Sequence, residues 1–383
     1  LKKNDHRPDT HLYVNIANFP LLPFIPLVSF HFTEKSNDWN NSLQQYSVAV
    51  LIAAYNEESV IEEKIMSVLI NVPKGVDLDI YVGSDASTDR TGAIVELISK
   101  IHPNVHLETF AGRTGKAAII NSLSKDKNHD VFILTDANVL FSSNTIIELL
   151  KPFQEPKVAL VCANILKIPV GKSSFEALEK SYIERENRIK QMESDLWKIV
   201  IGAEGGCYAI RRNDYEDIPK NFFMDDFFMT MQVIEKRKYV IFQKNAICHE
   251  YIPSLAKEEF KRKTRISTGN FQNLCRFKNL LSPSRGAVSF AFMSHKVLRW
   301  HTPLFLLVML LSSGYLCFYS LNLLPFFIVQ FLLLFSPLFS VSKIPILSPL
   351  IHFYSMNIAL FIGFILYLKG VRSSIWEPTS RMK

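Results

Sequence analysis

Cysteine is scarce and scattered: Cys162, Cys207, Cys248, Cys275 and Cys317 form no Cys-x-x-Cys pair and complete no Cys/His quartet. That spacing argues against a disulfide framework and a zinc site, and for a reducing compartment. A Gly-x-Gly-x-x-Gly fingerprint is missing, which excludes a plain dehydrogenase. Gly112-Arg113-Thr114-Gly115-Lys116 comes near a P-loop, but Phe110 and Ala117 break the pattern on both sides. Internal repeats and low-complexity segments are absent. Charge is almost absent from residues 302–368, where Lys343 stands alone among Lys, Arg, Asp and Glu.

What is present fits one large α/β domain followed by a membrane segment, since 383 residues exceed a single ordinary domain. The charged residues populate 34–299, so the main compositional boundary falls near Trp300. The net charge of +7 includes the run Lys257-x3-Lys261-Arg262-Lys263-x-Arg265 beside the apolar tail. Such clusters suit phosphates or an anionic membrane surface; no nucleic-acid partner is expected. The chain begins at Leu1, and the apolar, proline-broken stretch Phe19–Phe32 is too short to span a bilayer. It reads as the end of a membrane anchor or as an interfacial segment rather than a signal peptide.

Short apolar runs alternate with helical periodicity from residue 48 onward. Strands are expected at Val48–Ala54, Leu78–Gly83, Val105–Phe110 and Val131–Thr135, with helices at Glu57–Ile70, Thr88–Ile101 and Lys116–Leu123. This alternation predicts a doubly wound, mostly parallel sheet that binds ligand at the carboxyl ends of its strands. Phe175–Trp197 reads as an amphipathic helix with a solvated charged face over a packed stripe. Phe222–Glu235 reads as another helix, and Phe260–Leu280 and Val288–Trp300 as helices of a bilayer interface. Pro303–Leu321, Leu323–Val341 and Ile346–Leu368 are each expected to be long enough to cross a membrane, with breaks near Pro337, Pro345 and Pro349.

The acidic motifs sit where this fold places ligands. Asp136-Ala137-Asn138 follows a buried strand and offers two oxygen side chains to a hard cation, or builds a simple Asx turn. Asp85 ends the second strand, where its carboxylate is available to a nucleotide or a metal; Ser87 and Asp89 beside it suit a helix cap. Tyr55 and Glu57, after Ala53, cap the first strand and suit a base. Lys116 opens a helix after a glycine turn and suits a diphosphate as well as it suits the surface. Asp225-Asp226 sets two carboxylates side by side, a pair able to hold one pKa high enough for a base, or to cap a helix. Gly205-Gly206 allows close backbone approach or shapes a turn.

With Ala53–Glu58, Asp85, Asp136-Ala137-Asn138, Asp226 and Arg265-x3-Gly269-x2-Gln272 in this order, the chain resembles the family 2 inverting glycosyltransferases over about residues 47–300. It is most similar to the membrane synthases of hyaluronan, cellulose and poly-N-acetylglucosamine. The resemblance implies a GT-A fold for 47–255, preceded by a segment and linker at 1–46. Interfacial helices at 256–301 and a transmembrane region with a basic tail at 302–383 would follow. It implies donor binding by Ala53, Tyr55, Glu57, Asp85, Lys116 and Asp136, and Mg or Mn held by Asp136 and Asn138. Asp226, with Asp225, is implied as the general base, and Gly205, Gly206, Arg262, Arg265 and Gln272 as contacts to acceptor or diphosphate. Asn138 replaces the usual second Asp, Asp225 a Glu, Arg262 a Gln, and Ile266 a Trp of the processive synthases, the last of which leans toward single addition. The expected activity is transfer from a nucleotide-sugar, UDP-linked, to a growing glycan by an integral membrane protein with its catalytic domain in the cytoplasm. The alternatives are a single addition to a lipid or lipid-linked acceptor, and a non-catalytic nucleotide-sugar-binding scaffold of an export complex.

Overall fold

The computed structural model of the protein describes residues 46–168, 174–251, 256–338 and 348–370. The expected N-terminal anchor, the break at Pro345 and the basic tail beyond 370 lie outside those residues.

All four expected strands form. β1 (Ser47–Ala54), β2 (Asp77–Asp85), β3 (Val105–Phe110) and β4 (Val131–Thr135) run parallel in the order β3-β2-β1-β4. Alternate residues of β1 feed two cores, Ala49, Leu51 and Ala53 on one face and Val48, Val50, Ile52 and Ala54 on the other, as a strand covered on both sides requires. The connecting helices are α1 (Ile61–Leu69), α2 (Thr91–Ile101) and α3 (Lys116–Ser124). The first two start later than periodicity suggests. Thr88 N–H donates to Asn56 Oδ1 at 2.8 Å and Glu58 N–H to Asp89 Oδ2 at 3.0 Å, so side chains take backbone donors that a longer helix would use.

Beyond β4 the sheet departs from the expected pattern. Its full order is β3-β2-β1-β4-β7-β6-β8-β5, with β5 (Val139–Phe141), β6 (Val158–Ile168), β7 (Cys207–Arg211) and β8 (Tyr239–Tyr251). β7 is antiparallel to both β4 and β6, and β5 to β8, so the sheet is mixed, with four of its seven pairings parallel. Hydropathy reports that β7 is buried, not which way it runs; its direction is set by docking between two strands distant in sequence.

The remaining helices are α4 (Thr145–Leu150), α5 (Ser174–Trp197), α6 (Asp225–Glu235), α7 (Ala256–Arg276), α8 (Ala287–Trp300, with a π-helical turn at Phe292–Val297), α9 (Thr302–Cys317), α10 (Leu324–Phe335) and α11 (Ser348–Leu368). The described residues do not show three membrane-length helices; parts of the second and third expected stretches lie outside them. Among the described residues one helix, at Pro349–Leu368, is long and apolar enough to cross, and α8 with α9 would make a second if a pair bent by 55° is one span. α9 has 16 residues and α10 has 12, about 24 and 18 Å at 1.5 Å per residue against a bilayer core of about 30 Å. Pro303 and Pro325 each sit in a first helical turn, where proline starts a helix and cannot continue one.

α11 lies along α7 in parallel register. Ser267 Oγ donates to Leu360 O at 2.7 Å and Thr268 Oγ1 to Gly363 O at 3.1 Å, while Phe271 packs on Phe364 and Tyr367. The absence of a side chain at Gly363 is what permits this approach, since a Cβ there would lie 2.5 Å from Thr264 O.

Candidate active site

Asp85, fully buried at the end of β2, is wrapped by the glycine loop. It accepts from Thr114 N–H at 2.6 Å, Thr114 Oγ1 at 3.0 Å, Gly115 N–H at 3.2 Å and Arg113 Nε at 3.1 Å. Backbone donors that a P-loop would offer to phosphate are therefore spent on a carboxylate. Arg113 in turn lies over the Tyr55 ring, 3.3 Å from its centroid, so Tyr55, Arg113 and Asp85 form one connected unit.

Lys116, the first residue of α3, is the hub. Its Nζ stands 2.8 Å from Asp136 Oδ1, 3.3 Å from Asp225 Oδ2 and 3.5 Å from Gly205 O. Burial works against its charge, but Asp136 and then Asp225 outweigh it and hold the ammonium protonated. The turn after β4 is anchored from both sides. Asp136 N–H and Thr135 Oγ1 both donate to Gly206 O, at 3.1 and 2.9 Å. From below, fully buried Lys64 on α1 donates to Thr135 Oγ1 at 2.8 Å and to Val139 O, bracketing the motif; burial brings its pKa down to about 8.

Asp225 and Asp226 occupy the first turn of α6 but make no side-chain cap, for the cap position is Met224. Both are buried. Asp225 Oδ2 has no hydrogen bond among the described residues and faces Lys116. Asp226 Oδ1 accepts from Phe227 N–H at 2.8 Å, and its backbone is tied to residues 203–205 because Thr230 Oγ1 donates to Asp226 O while Ala203 N–H donates to Thr230 Oγ1. Burial first, and the Asp225 charge second, raise Asp226 to about 7, the range in which a carboxylate exchanges protons at neutral pH. Gly205 leaves room for it, since a Cβ there would stand 3.0 Å from Asp226 Oδ2.

These groups open on one cavity of about 680 Å³. Of the expected site residues, Ala53, Glu57, Lys116, Asp136 and Asn138 line its strand side, and Gly205, Gly206, Asp225 and Asp226 its floor. Arg262 and Arg265 enter from α7. Arg262 is paired with Glu259 at 3.1 Å, whereas Arg265, pressed down by burial and by Arg262, has no carboxylate partner among the described residues. Tyr55, Asp85 and Gln272 lie outside the lining. Gln272 instead staples the strand of chain before Asp225, donating to Asn221 O at 2.8 Å and accepting from Phe223 N–H at 3.2 Å.

Asp136 and Asn138 offer two oxygen donors, and Asn138 Nδ2 donates to Glu250 Oε1 at 3.4 Å, which leaves the amide oxygen as acceptor. Among the described residues no group of three His, Cys, Asp or Glu is placed to hold a metal ion by itself. Two oxygen donors are too few for an all-protein cage, and a hard cation held by them would take its other ligands from water and substrate.

Residues 45–269, more than half of the chain, match the family model described as Glycosyltransferase like family 2. The chain belongs to the family 2 glycosyltransferases. This transferase is 26% identical over 248 residues to the probable glycosyltransferase YdaM of Bacillus subtilis, which covers 61% of this chain and 57% of that protein. It is 25% identical over 144 residues to a poly-beta-1,6-N-acetyl-D-glucosamine synthase of Staphylococcus epidermidis, covering 35% of this chain and 34% of the synthase. The aligned parts thus take in little more than half, and a third, of those curated relatives. Among solved structures, a mannosyltransferase from Pyrobaculum calidifontis in complex with GDP-Man and Mn2+ matches with a TM-score of 0.64 at 19% identity, over 85% of this chain and 88% of that one. The transferase therefore shares the GT-A type of fold.

The charged face of α5 is the site feature that composition misreads. Glu179, Glu186, Lys190 and Glu193 are buried, not solvated. The three glutamates meet basic side chains from α7, α8 and α11: Lys263 lies 3.6 Å and His352 3.3 Å from Glu179, Arg299 2.8 Å from Glu186, which also takes Lys296, and His295 bridges Glu186 and Glu193 at 3.0 and 2.7 Å, while Lys190 pairs with Glu204 at 3.4 Å. The signal was present, because Glu179, Tyr182, Glu186, Lys190 and Glu193 recur at intervals of three and four on one helical face.

Proposed function

We propose that this glycosyltransferase moves a sugar from a nucleotide-sugar, UDP-linked in the first instance, to an acceptor hydroxyl with inversion at the anomeric carbon. The observation that carries the reading is the Lys116 bridge, which sets Asp136 of the cation motif and the Asp225-Asp226 pair on one cavity. Mg or Mn held by Asp136 and Asn138 would supply neutralisation of the departing diphosphate; the Mn2+ and GDP-Man of the Pyrobaculum mannosyltransferase are in keeping with this. Lys116 and Arg265 bring further positive charge to the same oxygens. Tyr55 and Asp85, stiffened by Arg113, suit the nucleoside. Asp226 takes the acceptor proton as the new glycosidic bond forms, and Asp225 keeps Asp226 basic by its charge. α11 supports membrane association, with the catalytic domain on the cytoplasmic face.

The test is nucleotide release and sugar transfer by membranes containing the full chain, over a panel of UDP-sugars and GDP-mannose with Mn or Mg. Cation-dependent release with one donor, lost in Asp226→Asn, is the expected result. Nucleotide binding with no turnover by any donor would favour the scaffold reading instead.

A further inference from the structure

α1 buries Ile61, Lys64, Ile65 and Val68, so a lysine occupies a core position of that helix beside three apolar residues. A lysine on a helix surface ordinarily carries its ammonium out to water. Lys64 is fully buried, and among the described residues no carboxylate lies within ion-pair distance of it. Burying a charge in this way costs far more than burying a methionine of similar length. Packing alone therefore gives no reason for a lysine here.

Its contacts all fall on one short segment. Nζ donates to Thr135 Oγ1 at 2.8 Å and to Val139 O, the residues just before and just after Asp136-Ala137-Asn138, and stands 3.8 Å from the centroid of the Phe141 ring. Inside that bracket Val139 N–H donates to Asp136 O at 3.2 Å and closes the turn. An ammonium can only donate, so the Thr135 hydroxyl accepts from it and is left to give its own proton to Gly206 O, at 2.9 Å. The same Gly206 oxygen accepts from Asp136 N–H at 3.1 Å. Lys116 meets the Asp136 carboxylate from the cavity at 2.8 Å, whereas Lys64 meets the backbone of the turn from beneath.

Resting on the reading of Asp136 and Asn138 as the cation motif of a sugar transferase, we infer that Lys64 is a positioning residue for the reaction. It fixes both ends of the Asp136-Ala137-Asn138 turn, so that the two side-chain oxygens are presented at a set separation before cation and diphosphate arrive. A plain charge would act in the opposite sense. An ammonium near Asp136 repels a divalent cation, and its removal would tighten binding; removal of a support for the turn loosens it.

The experiment titrates the detergent-solubilised full chain with Mn2+ in the presence of UDP or GDP, reading free Mn2+ by electron paramagnetic resonance, with turnover of the matching nucleotide-sugars measured beside it. Lys64→Met, similar in length and without donors, is expected to weaken Mn2+ in the nucleotide complex by about 10–100-fold and to raise the Mn2+ concentration needed for half-maximal turnover in step. Thr135→Val leaves the ammonium in place and breaks the link to Gly206. It is expected to weaken Mn2+ at least about threefold, and it carries the test if Lys64→Met does not fold. Ile65→Ala takes packing from the same face of α1 and removes no hydrogen bond; it is expected to lower the melting temperature with Mn2+ affinity within about twofold of the parent. Unchanged or tighter Mn2+ in Lys64→Met, or in Thr135→Val where that variant carries the test, would overturn the inference, as would a loss in Ile65→Ala as large as that in Lys64→Met. If the parent takes up no Mn2+ with either nucleotide, the reading of the cation motif itself falls, and the role of Lys64 with it.

Discussion

Asp226 carries most of the site's pH behaviour. Its carboxyl is raised to about 7 by burial and by Asp225, and a base must be ionised to act. Transfer should therefore fall about tenfold per unit as pH drops below about 7, and a profile flat from pH 5 to 8 would remove Asp226 from that role. Asp226→Asn should lower turnover by about 10²–10⁴ while calorimetry finds nucleotide affinity within a few-fold of the parent. Stability moves the opposite way. Unfolded aspartate ionises near pH ~4, so between there and about 7 the native state holds a proton that the unfolded chain has lost, and stability declines as pH rises through that window. Asp226→Asn lacks this decline, so its melting temperature should gain on the parent's as pH rises from 5 to 8; a difference that does not change with pH would refute the linkage. At this scale the motifs at strand ends were legible, because an acidic residue just after a buried apolar run has few places to go. Lys64 was not. A lysine in an amphipathic helix looks solvated, and only the packing of α1 beneath β4 and β5 puts its ammonium under the Asp136 turn.

Elements were legible in kind and misread in environment. α5 was expected as a helix, and its charge as a solvated face; Glu179, Glu186 and Glu193 are buried because α7, α8 and α11 bring basic side chains to them, and Lys190 because Glu204 meets it. Removing one member of such a network leaves the others uncompensated. Glu186→Ala strands Lys296, Arg299 and His295 and should destabilise the fold by roughly 3–5 kcal/mol, read as a lowered thermal midpoint; a change under about 1 kcal/mol would mean that water screens the cluster. The α7 and α11 contact is sensitive in another way. Gly363→Leu has no space against Thr264 O and Ser267, and overpacking of this kind costs about 1–3 kcal/mol. The same measurement on Gly370→Ala, where a Cβ would meet nothing within 4 Å but φ is +84°, separates crowding from backbone strain.

For the molecule as a whole, the parallel seating of α11 on α7 ties the apolar C-terminal region to the catalytic domain. Ending the chain before Ser348 would strip the partner from Ser267, Thr268 and Phe271, so the truncated protein should aggregate rather than yield a soluble catalytic domain. A monodisperse truncation by size exclusion would show the two parts to be separable. The proposed membrane seat of α11 predicts that the full chain floats with phosphatidylcholine vesicles and resists release by high salt, as an apolar attachment would; release by salt would remove it. The sequence by itself determined the four parallel strands, the helices between them, the acidic groups at their ends and the apolar C-terminal region, because each is written in local periodicity or in residues that a buried strand end must carry. Only the tertiary structure decided the reversed β7, the burial of the charged face of α5, the exclusion of Gln272 from the cavity and, among the described residues, how few of the apolar helices reach crossing length. All four depend on which distant surfaces meet, and a residue's neighbours along the chain carry no record of its neighbours in space.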